Sequence, residues 1–336
     1  MKLQNPVVVF PDLVQIKIPT PFPVGPVNVY VARDPDGLTL VDCGPRLPEA
    51  RTALDAGLAA LGCSVRDVRR IVVTHAHADH YGLAASIAAS AASGVQVLTH
   101  VFNRPTLEGY DRERDRRTAF YTDLLQISGV PEETRRAIEN ERRGIGDYAE
   151  TIPVAGELND GDTLALAGRE WQVLHTPGHS GGLVCLYERQ TRALLSNDHL
   201  LRDISSNPLV EPPPPGHSKR FMSLVEYIGQ MQRVAAMDVS VAWPGHGEPI
   251  HDVKSLVGQR VEFHTRRAGR ILELISGNAL TTYEVTHAVF PRLDPINFFL
   301  ALSEVLGHLE LLESQFRLQS TQRERVVTWQ TTTPDL

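Results

Sequence analysis

Apolar residues in the first two thirds of this chain fall in short runs, each closed by a polar or glycine-containing turn. VVVFPDLVQIKIP (7–19) and VNVYVARDPDGLTLVDCG (27–44) predict strands, the second segment folding back at Asp-Pro-Asp-Gly. LPEARTALDAGLAALG (47–62) sets apolar side chains at helical spacing and ends at Gly62, which suits a helix C-terminus. RRIVVTH (69–75) predicts a buried strand, YGLAASIAASAASG (81–94) an alanine-rich helix and VQVLTH (95–100) another strand. Strand, polar turn, helix, strand is the order of an α/β fold with its chemistry in the loops.

Residues 101–150 change character, mixing both charges densely at helical spacing. They predict a solvated helical insertion, or a cap whose Phe102, Tyr110, Phe120 or Tyr121 would line a substrate pocket. Strand signals return in DTLALAGREWQVLHTPGHSGGLVCLYERQTRALLSNDHL (162–200) and in VAWPGHGEPI (241–250). Between them, SSNPLVEPPPPGHSKRF (205–221) is too proline-rich for regular structure and predicts a long loop or lid. From about Lys254 the pattern turns helical, in VGQRVEFHTRRAGRILELIS, LTTYEVTHAVF and FFLALSEVLGHLELLESQ, before a strand-like RERVVTW. Two domains are expected, 1–252 catalytic and 253–336 small, helical and winged-helix-like.

Composition narrows the function classes. A chain of 336 residues, 42% hydrophobic, has material for about two domains and a substantial core. The net charge of −7 gives no general attraction for nucleic acid or anionic membrane, and nine Lys/Arg against ten Asp/Glu from residue 251 onward leave the C-terminal part without a basic surface. Cys43, Cys63 and Cys185 are too few and too scattered for a disulfide framework. No stretch reads as a signal peptide or a membrane span, so a cytoplasmic location is expected.

The chemistry concentrates in VVTHAHADHYG (72–82), where three of the 13 histidines and an aspartate occupy six positions after an apolar run. His75 and His77, two apart on extended backbone, project to the same side and can share a metal. Asp79 and His80 lie on the next turn and can reach a second one. Three later segments repeat the theme of a polar side chain at a strand end. HTPGHS (175–180) bends at Pro177 and Gly178 to turn His179 inward, LLSNDHL places Asp198, and WPGHG flanks His246 with glycines. Imidazole and carboxylate donors suit zinc, and also iron or manganese. Two such ions about 3.5–4 Å apart can clamp an attacking hydroxide and a developing oxyanion.

The ordered set H-x-H-x-D-H, then His, Asp and His, resembles the metallo-β-lactamase superfamily of metal-dependent hydrolases over roughly residues 8–252. The resemblance implies an αββα sandwich with the metals at one edge. It implies that His75, His77 and His179 hold one divalent ion, that Asp79, His80 and His246 hold another, and that Asp198 bridges the two. No cysteine falls at a ligand motif, which weighs against antibiotic hydrolysis. The C-terminal segment is similar to the winged-helix extension of the β-lactamase-like protein 2 group. One departure is Leu83 after Gly82, where relatives usually carry a second glycine. Asp42 in LVDCG is expected to brace the ligand loops, His175 to act structurally, and Tyr81 and His199 are the nearest candidates for substrate contact.

The expected activity is attack of a metal-bound hydroxide, oriented by Asp79 or Asp198, on the ester or thioester bond of a small acyl substrate. A lactonase and a glyoxalase II-like hydrolase use nearly the same reaction, although glutathione-binding helices are not evident. A single-strand RNA endonuclease is the alternative of another class. A homodimer formed through the insertion or the C-terminal helices is a further expectation.

Overall fold

The computed structural model describes residues 5–143, 147–214 and 216–332; residues 144–146 of the expected insertion, residue 215 of the proline-rich loop and the last four of the C-terminal part lie outside them. A first sheet runs in the order β1 (Val7–Phe10), β2 (Leu13–Ile18), β3 (Val27–Asp34), β4 (Gly37–Val41), β5 (Val68–Val73), β6 (Gln96–Thr99) and β7 (Gly156–Glu157). It is antiparallel from β1 to β4 and parallel from β4 to β7. The second sheet contains β8 (Thr163–Leu166), β9 (Arg169–His175), β10 (Val184–Glu188), β11 (Ala193–Asn197) and β12 (Val241–Pro244), with only the β11–β12 pair parallel.

Alternation along the strands explains the layers. On β5, Val72 faces a cluster shared with the second sheet, whereas Ile71 and Val73 face outward. On β10, Val184 and Leu186 enter the shared cluster and Cys185 and Tyr187 the opposite one. Both faces of these strands are covered, so they read as continuous apolar runs rather than as alternation. Trp171, Tyr30, Val173 and Leu195 fill the space between the sheets. The outer face of the first sheet packs on α1 (Pro48–Ala60) through Leu54 and Leu58. The chain therefore folds as the expected αββα sandwich.

The expected helix 81–94 is broken. It forms α2 (Ala78–Tyr81) and α3 (Ala84–Ser90), because Leu83 N–H turns aside to Gly44 O at 3.0 Å. Gly82 is pressed against the backbone of Tyr148 and Arg46, where a Cβ would stand 2.1 and 2.4 Å from their atoms. The insertion forms α4 (Arg104–Glu108), α5 (Tyr110–Ile127) and α6 (Glu132–Arg143), and α7 (Ser223–Ala235) follows the proline-rich loop.

Beyond residue 252 come α8 (Val253–Ile275), β13 (Leu280–Thr281), α9 (Thr282–Val289), α10 (Pro295–Ser314), β14 (Leu318–Arg323) and β15 (Val326–Thr331). Capping residues set the helix starts: Asp252 and Asp294 accept from the backbone N–H three residues on, and Thr281 with Glu284 makes a reciprocal capping box. Strand β14 escaped expectation because all but its first residue are exposed and polar; it forms through its hairpin with β15. A single buried cluster joins Leu174 and Leu194 of the second sheet to Tyr227 of α7, Ile271 of α8, Leu302 of α10 and Trp329 of β15.

Candidate metal centre

The loops after β5, β9, β11 and β12 meet at one edge of the sandwich and carry the polar side chains of the cluster, and the loop after β4 sets Asp42 beside them. Backbone and side-chain bonds stitch the two sheets together there. Val184 N–H donates to Thr74 O at 3.0 Å, Asn28 N–H to Gly245 O at 2.7 Å, and the Tyr30 hydroxyl to Pro244 O at 2.6 Å. Gly245 has no room for a side chain, since a Cβ would stand 2.2 Å from Asp198 Oδ1. Gly178 adopts φ +144° against the Tyr227 backbone, and this bend delivers His179.

Three groups of donor atoms converge: His75, His77 and His179; Asp79, His80 and His246; and His75, His80 and Asp198. In the first, His77 Nδ1 lies 3.0 Å from both His75 Nε2 and His179 Nε2. In the second, Asp79 Oδ2 lies 3.4 Å from His246 Nε2 and 3.9 Å from His80 Nε2. Asp198 Oδ2 sits between the groups, at 3.4 Å from His80, 3.6 Å from His179 and His246, and 4.0 Å from His75. All seven expected residues are thus brought together.

The outward nitrogens fix which ring atoms are free. His246 Nδ1–H donates to Pro26 O at 2.9 Å and His179 Nδ1–H to Asn207 O at 3.0 Å, with Ser206 Oγ 2.9 Å away. His80 Nδ1 lies 2.7 Å from Asp42 Oδ2, and the Thr74 hydroxyl donates to the same carboxylate at 2.8 Å. That leaves Thr74 Oγ1, 3.2 Å from His75 Nδ1, to accept from it. Four imidazoles consequently turn Nε2 inward. Asp42 reaches this position with a left-handed backbone, φ +61°, a conformation uncommon outside glycine.

Charge is divided between the groups. Burial, reinforced by neighbouring imidazoles, holds His75 and His77 well below the ordinary histidine value, His77 at about 3, and burial likewise lowers His179. Burial also opposes charge on His80 and His246, but there Asp198 and nearby carboxylates outweigh it and raise both. Asp198 and Asp79 are held low by His80 and His246 in spite of burial. Among the described residues, the buried His80 Nε2, His246 Nε2 and Asp198 Oδ1 have no hydrogen-bond partner. Ring nitrogens and a carboxylate oxygen turned inward and left unpaired in a buried site are what a cation would satisfy, so the donor set fits divalent ions.

Other expectations need correction. Tyr81 is buried in the first-sheet cluster and His199 is fully buried beside Tyr227, so neither is open to a substrate. His175 stacks on His100 with centroids 3.9 Å apart and lies outside the donor groups, as expected of a structural residue. Phe102 lines a narrow cavity next to the cluster, whereas Tyr121 packs on Phe299, Phe120 joins the same buried cluster and Tyr110 packs against the first-sheet core. Sequence reasoning missed Thr74, Ser206, Asn207 and Pro26, which act through hydroxyls or backbone carbonyls and leave no residue-type signature.

Residues 22–246 match the family model of the metallo-beta-lactamase superfamily, and the chain belongs to that superfamily. It is 34% identical over 310 residues to the probable metallo-hydrolase YqjP of Bacillus subtilis, covering 92% of this chain and 94% of that protein. It is also similar to a beta-lactamase-like protein 2 homolog of Caenorhabditis elegans, at 23% identity over 81% of this chain and 73% of the other. An atrochrysone carboxyl ACP thioesterase of Aspergillus fumigatus is 21% identical over 74% of this chain and 44% of its own length. Among solved structures, a metallo-beta-lactamase family protein of Thermus thermophilus superposes with a TM-score of 0.78 at 28% identity, covering 97% of this chain and all of the other.

Proposed function

We propose that this chain is a dinuclear metal-dependent hydrolase that cleaves an ester or thioester bond of a small acyl substrate. His75, His77 and His179 would hold one ion, Asp79, His80 and His246 the other, with Asp198 shared. The observation that carries the reading is the Asp198 carboxylate, whose Oδ2 lies within 4.0 Å of imidazole nitrogens from both groups. The name of one relative, a metallo-hydrolase, supports hydrolysis, and that of another, an ACP thioesterase, supports the bond class.

Divalent ions bound there supply Lewis acidity, polarising a carbonyl and lowering the pKa of water from about 15.7 to roughly 7. The chain's own groups do the rest. Asp79, held ionised by His80 and His246 and slightly open to solvent, accepts a hydrogen bond from the attacking water and aligns its lone pair. Asp42, Thr74 and Pro26 keep the histidine rings from rotating. The proline-rich loop does two jobs: Ser206 and Asn207 orient His179, while Glu211 and Pro212 wall the adjoining cavity. Zinc suits the nitrogen and oxygen donors best.

The test is purified protein, its metals counted by elemental mass spectrometry, against acyl-CoA thioesters, simple esters, lactones and single-stranded RNA. Turnover of esters or thioesters that vanishes in His77→Ala supports the proposal. RNA cleavage lost in the same variant, with no ester or thioester turnover, overturns it.

A further inference from the structure

Next to the donor cluster, α5 and the proline-rich loop enclose a narrow cavity of about 40 Å³, bordered by Ala76, Phe102, Arg117, Gly181, Glu211 and Phe221. Ala76 stands between His75 and His77, and Gly181 follows His179 by two residues, so the cavity adjoins both metal-binding loops. Its polar end is filled by Glu211. One carboxylate oxygen, Oε1, accepts from Nη1 and Nη2 of Arg117, both at 3.1 Å. The other, Oε2, accepts the Gly181 backbone N–H at 2.7 Å.

A guanidinium fork and a backbone N–H converging on two oxygens form a receptor for a carboxylate. As a loop fastener the pair adds little, because both side chains keep access to water, at 24% and 18% exposure, which screens their attraction. The loop has other fastenings. Val210 N–H donates to Ser303 Oγ of α10 at 2.8 Å, the Ser223 hydroxyl to Leu209 O at 2.7 Å, and Arg116 to Pro213 O at 3.1 Å. Pro212, Pro213 and Pro214 have no N–H to give, so few backbone bonds resist a swing of Glu211. Arg117 also donates to the Tyr121 hydroxyl at 3.0 Å, which would hold the guanidinium in place after Glu211 left.

We propose that Arg117 and the Gly181 N–H are a subsite for a carboxylate on the substrate's acyl chain, and that Glu211 is an internal stand-in which the incoming carboxylate displaces. The exchange replaces one carboxylate by another, so Arg117 keeps a counter-charge throughout. Phe102 and Phe221, with ring centroids 5.7 Å apart, give the carbon chain an apolar wall. The inference deepens the ester or thioester reading and rests on it.

Kinetics of the metal-loaded full chain would compare two p-nitrophenyl esters that share one glutaryl chain, the hemiglutarate and its neutral methyl ester. The expected preference for the hemiglutarate in kcat/KM is about tenfold or more, and it collapses in Arg117→Met through KM. Arg117→Lys, which keeps the charge and loses the fork, gives an intermediate preference and serves as the milder variant should Arg117→Met misfold. In parallel, glutarate is titrated calorimetrically. Glu211→Ala is expected to bind it about tenfold more tightly than the unaltered chain, a gain absent from the double variant with Arg117→Met. Equal use of both esters, or no gain in glutarate affinity for Glu211→Ala, overturns the subsite. Arg117-dependent glutarate binding with no turnover of either ester or of any acyl-CoA thioester would uphold the subsite and sink the hydrolase reading instead.

Discussion

Asp42 shows how much one carboxylate can organise. It receives His80, the Thr74 hydroxyl and the Thr74 backbone N–H, the last at 2.9 Å, and it does so from a strained backbone. Asp42→Ala removes the acceptor that sets the ring orientations of His80 and, through Thr74, His75. Metal affinity should fall about 10–100-fold, read by competition with a chromogenic chelator. Gly245→Ala acts from the other side. A Cβ 2.2 Å from Asp198 Oδ1 and 3.0 Å from His80 Cε1 must push both away, so fewer than two ions per chain should remain, with the far-ultraviolet circular dichroism unchanged. Retention of both ions would mean that the loop yields at no expense to the site. Asp42 could be anticipated because it ends an apolar strand, as do His75, Asp198 and His246. Glu211 could not: an acid before four prolines has no spacing rule attached, and its partners Arg117 and Gly181 are distant in sequence.

Among the elements, apolar runs gave away the strands of the two sheets apart from the short β7, and helices α8, α9 and α10. Polar β14 and the break between α2 and α3 were hidden, since both depend on contacts made elsewhere in the chain. The packing of α8 on α10 has its own acid sensitivity. His264 Nδ1 lies 3.2 Å from His308 Nε2, and His308 Nδ1 lies 2.7 Å from Glu304 O, which sets that ring. Burial, with added repulsion from His308 and Arg267, lowers His264 to about 3; burial and Arg267 lower His308 to about 4. An unfolded chain protonates these rings near pH 6.5, whereas the folded chain does not. Stability is therefore whole above about pH 6.5 and declines as the pH falls toward 4, each histidine contributing up to about 1.4 kcal/mol per pH unit. Urea unfolding at pH 7.5 and 5.5 should show a smaller loss for a His264→Phe/His308→Leu variant than for the unaltered chain. An equal loss would place the acid sensitivity elsewhere.

At the scale of the whole molecule, hydrophobic pattern says which face of an element is apolar but not what covers it. The pattern suggested a catalytic part ending at 252 and a small helical part beyond. The buried cluster that covers the outer face of the second sheet nevertheless draws on both, with Leu174, Cys185 and Leu194 meeting Ile271, Leu302 and Leu309 in one core. The same helices reach the site through the loop: Ser303 holds Val210, and Glu310 pairs with Arg220. A chain ending at residue 252 would thus uncover the part of that cluster which α8 and α10 close, beside the sheet that carries His179 and Asp198, and would remove the hold of Ser303 and Glu310 on the loop that orients His179. Such a fragment is expected to bind a hydrophobic dye, to lose its cooperative thermal transition and to retain fewer than two metal ions. A fragment that melts cooperatively with both ions bound would show instead that the sandwich is self-sufficient. The C-terminal helices would then be an attachment to the catalytic fold rather than one of its layers.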